Sequence, residues 1–192
     1  MSYNIVMKIV FATGNKHKLE EINKISQGSG IEFILPNGNF NPIEDGSSFE
    51  ENSYKKAIEA NRISGMMSLA DDSGLCVDAL DGAPGLFSAR YAGTQQEKID
   101  KLLYEMQNKD DRQAKFVCVM TLLDEQGKVL HVSKGECHGK ISLEKSGTNG
   151  FGYDPIFIID GIDKTMAEIS DFEKNRISHR ANALNDMIKF IN

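Results

Sequence analysis

The sequence predicts an α/β protein with a mixed β-sheet flanked by helices, folded as a single domain over residues 1–192. Two patterns carry that expectation. In the first half, short apolar runs alternate with segments whose apolar residues recur every three to four positions, the order β-α-β-α-β. In the second half, two long strand-forming runs flank a short polar turn, a hairpin that a purely doubly wound sheet would lack.

The elements follow in order along the chain. Lys8-Ile-Val-Phe-Ala12 reads as a first strand, stopped by Thr13-Gly14-Asn15, and Leu19, Ile22 and Ile25 mark the helix beyond it. Glu32 to Leu35 is a second strand, and a polar loop from Pro36 to Ser48 leads to a second helix from Phe49 to Arg62, a segment rich in helix formers and free of breakers. Met66 to Ala70 is a third strand, expected to end in a turn at Asp71-Asp72-Ser73-Gly74. A helix is expected from Gln96 to Met106, strands from Gln113 to Leu123 and from Val129 to Cys137, a short strand from Ile156 to Ile159, and a final helix after Ser178. Gly147 to Pro155 is a glycine-dense loop.

Composition narrows the function classes. The 192 residues are 40% apolar and 26% charged, and a chain of that size buries roughly 70% of its unfolded surface, so neither metal nor disulfide is required for a core. A net charge of −6 argues against nonspecific binding to nucleic acid or an anionic membrane. Cys76, Cys118 and Cys137 are odd in number and form no Cys-x-x-Cys pair, which fits a reducing cytoplasm. The start, Met1 to Lys8, lacks the charged and apolar regions of a signal peptide, and the apolar run Phe116 to Leu123 is far short of the ~20 residues that span a bilayer.

Four places could carry chemistry. Thr13-Gly14-Asn15-Lys16-His17-Lys18 lies where a strand feeds a helix, so backbone N–H groups, a hydroxyl and two lysines could cradle phosphate; the alternative is a capped turn with solvated lysines. Asp71 and Asp72 stand at a strand end on alternating sides, and Asp72 is the better placed to face a ligand. Magnesium needs only one or two protein carboxylates when phosphate and water complete its shell, and Glu44 is a candidate second ligand. Phe151-Gly152-Tyr153-Asp154 sets aromatics among glycines, where a base or partner could stack, and Ser178-His179-Arg180 opens a helix.

Several of these segments together resemble one family. Phe11-Ala-Thr-Gly-Asn-Lys-His-Lys-Leu-Glu-Glu21, Ser48-Phe-Glu-Glu-Asn52 with Lys56, Ala70-Asp-Asp-Ser-Gly-Leu75, Gly82-Ala-Pro-Gly85 with Ser88-Ala-Arg-Tyr91, Gly150-Phe-Gly-Tyr-Asp-Pro155 and Glu173-Lys-Asn-Arg-Ile-Ser-His-Arg180 occur in order. The sequence resembles the Ham1-like purine nucleoside triphosphate pyrophosphatases, also known as inosine triphosphatases or dITP/XTP pyrophosphatases.

That resemblance implies an elongated mixed sheet, two lobes around a central nucleotide-binding cleft, a homodimer, and magnesium-dependent hydrolysis of ITP, dITP and XTP to the monophosphate and pyrophosphate. It assigns Thr13, Asn15, Lys18 and Lys56 to the phosphates, Glu44 and Asp72 to magnesium, and Asp72 also to the role of general base, with Asp71 in support. The ligand and base roles of Asp72 stand as alternatives that a bridging water could reconcile. Attack on the α-phosphorus needs no covalent intermediate, with Lys18 and Lys56 neutralising developing charge. Lys174, His179 and Arg180 are expected to donate to a 6-oxo purine, Phe151 to stack on it, Tyr153 to lie behind Phe151 or on the sugar, and Asp154 to fix the loop or a base N–H. Ser73 and Arg90 are further candidate substrate contacts. A hydrolase that removes the terminal phosphate and a binding module without turnover are the rival readings.

Overall fold

The computed structural model describes residues 6–192. The expectation about a leader segment falls largely on residues 1–5, outside the described residues. The elements run β1 (Met7–Phe11), α1 (Lys16–Ile25), β2 (Ile31–Ile34), α2 (Phe49–Ser64), β3 (Ser68–Val77), α3 (Gln95–Glu105), β4 (Gln113–Leu123), β5 (Val129–Ile141), β6 (Phe157–Ile159), α4 (Asp171–Ile177) and α5 (His179–Ile191). The sheet order is β2-β1-β3-β4-β5-β6, with β1 parallel to both β2 and β3 and β5 antiparallel to β6, so the fold is mixed α/β.

Two compact units share the chain. The first holds the chain through Asp72 with Cys118–Gly135 and Arg180–Asn192; the second holds Ser73–Val117 and Glu136–His179. Each has its own core. In the first unit, alternation along the strands sends Ile9, Phe11 and Leu69 to one face, where Ile22 of α1 and Leu184 and Met187 of α5 cover them. Val10, Ala12 and Ala70 go to the other face, where Ala57 and Ala60 of α2 lie against them. Asn23 fastens α1 to β2 by accepting the Phe33 N–H and donating to the Phe33 carbonyl, both at 2.9 Å. In the second unit, Leu75, Val77, Leu102, Met106, Phe116, Phe157 and Met166 are among the side chains of one cluster.

Two local expectations are corrected. β3 does not end at Asp71; it runs on through Gly74 to Val77. Leu75 and Val77 enter the second core, and Gly74 is there for close approach, because a Cβ would collide with the Gly85 carbonyl and sit 2.8 Å from Ser88 Oγ. The second correction is α4, a helix absent from the sequence reading. Its signal was present in Ser170-x-x-Glu173, a capping box in which Ser170 Oγ accepts the Glu173 N–H at 3.2 Å and Glu173 Oε2 accepts the Ser170 N–H at 2.9 Å. The hairpin is as expected, its turn closed by the Asp124 N–H on the Lys128 carbonyl at 3.0 Å.

Candidate active site

In the first unit a cavity of about 320 Å³ opens where β1 gives way to α1, lined by Thr13, Gly14, Asn15, Lys18, Glu44, Lys56 and Asp71 among others. Strand alternation sets its charges. Asp71 faces α1 and α5, and Asp72 faces α2, because adjacent residues of an extended strand point to opposite sides.

Asp71 is fully buried among cations. Lys18 Nζ donates to both of its oxygens at 3.0 Å, and Arg180 donates to Oδ2 from Nε at 3.2 Å and Nη2 at 3.0 Å. Burial alone would raise this carboxyl, but Lys18, Arg180 and Lys56 outweigh it and hold it well below the usual carboxylate range. The remaining arm of Arg180, Nη1, reaches Glu21 Oε2 at 2.8 Å.

Asp72 sits in a different environment. Lys56 Nζ donates to Oδ1 at 2.7 Å and Asn52 Nδ2 to Oδ2 at 3.2 Å. Here burial prevails over Lys56 and Asn52, and the carboxyl is pushed up. Lys56 also lies 3.5 Å from Glu44 Oε1, so two carboxylates converge on one ammonium. Burial would lower Lys56, yet Asp71, Asp72 and Glu44 together raise it and keep it charged.

The loop at the head of α1 differs from a bare N–H cradle. Asn15 is the helix cap, its Oδ1 accepting the His17 N–H at 2.9 Å and the Lys18 N–H at 3.4 Å, while Thr13 Oγ1 accepts the Asn15 N–H at 3.0 Å. Three amides expected to meet phosphate are therefore engaged within the loop. Lys16 and His17 are exposed and do not line the cavity.

Hard oxygen donors are the set magnesium prefers, and Glu44 and Asp72 supply two that already converge on a cation. Among the described residues no three His, Cys, Asp or Glu side chains gather as a complete metal cage. A site of two carboxylates leaves room for phosphate and water oxygens, which is how magnesium is usually bound beside nucleotides.

In the second unit the Gly147 to Pro155 loop is built around Asp154. Its Oδ2 accepts the Phe151 N–H at 2.9 Å and Lys174 Nζ at 2.6 Å. Gly150 has φ +73°, and a Cβ there would collide with Asp154 Oδ2, so glycine is required on both counts. Lys174 Nζ lies 4.8 Å from the Phe151 ring centroid, and Phe151 remains 40% exposed. Tyr153 is buried, its hydroxyl donating to the Ser88 carbonyl at 3.0 Å. His179 is buried against Phe116, rings 4.8 Å apart and 14° from parallel. Ser73 is half-buried in β3, and Arg90 is exposed with its guanidinium 5.1 Å from the Phe87 ring.

Arg180 is the clearest departure from expectation. The resemblance has it read the base, but it is 1% exposed and paired with Asp71 and Glu21. Three residues to which the sequence alone assigns no role make supporting contacts: Asn52, Glu21, and Gln95, whose side-chain amide donates to the Gly152 carbonyl. Asn52 and Glu21 lie inside the matched segments, but nothing in composition or spacing shows that Asn52 reaches back to a strand or that Glu21 meets a residue of the last helix.

Comparison with known proteins settles the family. The Ham1 family model matches residues 9–190. The chain belongs to the Ham1 family. It is 48% identical over 187 residues to a dITP/XTP pyrophosphatase of Desulfotalea psychrophila, covering 94% of this chain and 83% of that one. A dITP/XTP pyrophosphatase of Oceanobacillus iheyensis is 44% identical over 96% of this chain and 98% of its own. Among solved Ham1 structures, the Coxiella burnetii protein superposes with a TM-score of 0.87 at 40% identity, covering 96% of this chain and 98% of that one. The Staphylococcus aureus Ham1 protein gives 0.85 at 41%, covering 96% and 97%. Among the described residues of this Ham1 chain, no helix is long and apolar enough to cross a membrane.

Proposed function

We propose that this chain is a magnesium-dependent nucleoside triphosphate pyrophosphohydrolase that converts ITP, dITP and XTP to the monophosphate and pyrophosphate, removing them before they enter DNA or RNA. The observation that carries the reading is one cavity lined by Lys18, Asp71, Lys56 and Glu44, with Lys18 paired to Asp71 and Lys56 paired to Asp72, which does not itself line it. Relatives covering nearly the whole chain bear the name dITP/XTP pyrophosphatase, which supports dITP and XTP as substrates.

In this reading the Thr13 hydroxyl, the Asn15 side-chain amide, Lys18 and Lys56 bind the phosphates. Glu44 and Asp72 would hold magnesium, whose charge polarises phosphate oxygens and offsets the charge of the leaving pyrophosphate. Water attacks the α-phosphorus in line; the new P–O bond forms as the bond to the bridging oxygen of pyrophosphate breaks. As the alternative to ligating the metal directly, or across a bridging water, Asp72, its carboxyl pushed up by burial, takes the attacking water's proton. Asp71, held ionised, keeps Lys18 aimed through two bonds of 3.0 Å. For the purine, the resemblance points to Phe151 as a stacking face and to Lys174 and His179 as donors to a 6-oxo group, donors that adenine's amino group would leave unpaired. GTP shares that oxygen, so its rejection rests on the 2-amino group.

The test is to incubate purified protein and magnesium separately with ITP, XTP, GTP and ATP, and to resolve pyrophosphate from orthophosphate. Pyrophosphate from ITP and XTP, with little from GTP or ATP, is the expected result. Orthophosphate instead, or binding without product, would reject it.

A further inference from the structure

The loop before α2 is laid along the first two turns of that helix, residue against residue. Ser47 N–H and Oγ both donate to Glu51 Oε2, at 2.8 and 3.0 Å. Gly46 N–H donates to Asn52 Oδ1 at 2.8 Å, Asp45 pairs with Lys55 at 2.6 Å, and Glu44 pairs with Lys56 at 3.5 Å. Four consecutive loop residues thus meet four residues of α2 in reverse order. The approach is close: a Cβ on Gly46 would stand 2.6 Å from Asn52 Oδ1 and 2.9 Å from Glu51 Cβ.

Asn52 and Lys56 differ from Glu51 and Lys55 in one respect. They are one helical turn apart on the buried face of α2, and each touches both the loop and Asp72. Lys56 does so with a single ammonium, which a substrate phosphate can draw away. Asn52 does so with opposite ends of one planar amide, Oδ1 to the loop backbone and Nδ2 to Asp72 Oδ2, from a side chain that is 1% exposed. A planar amide with one accepting and one donating end fixes the spacing between its two partners, and an unpaired buried end would cost free energy on either side.

We propose that Asn52 is a positioning residue for the reaction: its amide locks the Glu44 loop to Asp72, so that the two carboxylates hold one spacing when Lys56 turns to the phosphates. The inference rests on the proposed pyrophosphohydrolase activity and deepens it. Loss of the amide would leave the polyphosphate contacts of Lys18, Thr13 and Asn15 in place while letting the two carboxylates drift. The deficit would therefore fall on turnover and on the magnesium requirement more than on substrate affinity.

The experiment compares wild type, Asn52→Ala and Asn52→Asp. Pyrophosphate release from ITP is measured over a magnesium titration, and hydrogen exchange of the Gly46 amide is measured by NMR on the protein without nucleotide. In Asn52→Ala, kcat should fall about 30-fold or more with KM within about threefold, half-saturating magnesium should rise, and Gly46 should exchange about tenfold faster. The core amides of Ala57 and Ala60 should be unchanged. Asn52→Asp keeps the acceptor for Gly46 and loses the donor to Asp72, so Gly46 should stay protected while kcat falls; this near-isosteric variant decides the matter if the alanine variant does not fold. Variants with wild-type kcat at every magnesium concentration, on an active wild type, would overturn the inference. A wild type that releases no pyrophosphate would overturn the activity it rests on, whatever Gly46 does.

Discussion

Arg180 donates to Asp71 from two guanidinium nitrogens, Nε at 3.2 Å and Nη2 at 3.0 Å, and both bonds end on the same oxygen, Oδ2. With Lys18 on both oxygens and Glu21 on the other arm of Arg180, a buried four-residue ion cluster joins α1, β3 and α5. A residue two places into the last helix is thus tied to the strand that carries both central carboxylates.

Removing one partner from such a cluster leaves a buried charge uncompensated. Arg180→Ala should destabilise the fold by about 3–5 kcal/mol, read from urea denaturation, in addition to any change in substrate choice. A loss below about 1 kcal/mol would place the guanidinium in water, as for an exposed pair.

Asp72→Asn retains the shape and the Asn52 and Lys56 neighbours but removes the carboxylate. The expected loss in kcat is about 10²–10⁴-fold, with circular dichroism and gel filtration unchanged. Near-normal turnover would remove Asp72 from both roles proposed for it.

Gly150→Ala meets two obstacles, a φ of +73° and the Asp154 carboxylate. The loop that presents Phe151 should shift, raising KM for ITP about tenfold or more with a smaller change in kcat. Equal KM values for variant and wild type would separate that loop from substrate binding.

Gly74→Ala distinguishes a strand interior from a turn. Its φ lies outside the left-handed region, so an open turn would accept alanine at little cost. Against the Gly85 carbonyl and Ser88 Oγ the new methyl group should cost about 1–3 kcal/mol by overpacking, seen as a lowered melting temperature.

The sequence reading and the structure agree where local physics decides. β1, α1, α2 and the hairpin were legible because their apolar periods and turn residues act over a few positions. The end of β3 was misread because Asp-Asp-Ser-Gly has turn composition, whereas the strand is sustained by Leu75 and Val77 entering a second core. The candidate site divides in the same way. Thr13, Lys18, Glu44, Lys56 and Asp71 were all nominated and do line one cavity. The Arg180 to Asp71 pairing spans 109 residues of sequence, and the Asn52 to Asp72 bond depends on which face of a helix meets which side of a strand. Tertiary arrangement of that kind has no local signature.

Isotope placement distinguishes attack of water on the α-phosphorus from attack elsewhere on the triphosphate. ITP is hydrolysed in water enriched in oxygen-18 with saturating magnesium, and both products are weighed by mass spectrometry. The account predicts one heavy oxygen in inosine monophosphate and none in pyrophosphate. Label in the pyrophosphate would mean attack at the β-phosphorus, and label in orthophosphate would mean release of the terminal phosphate; either would contradict the account.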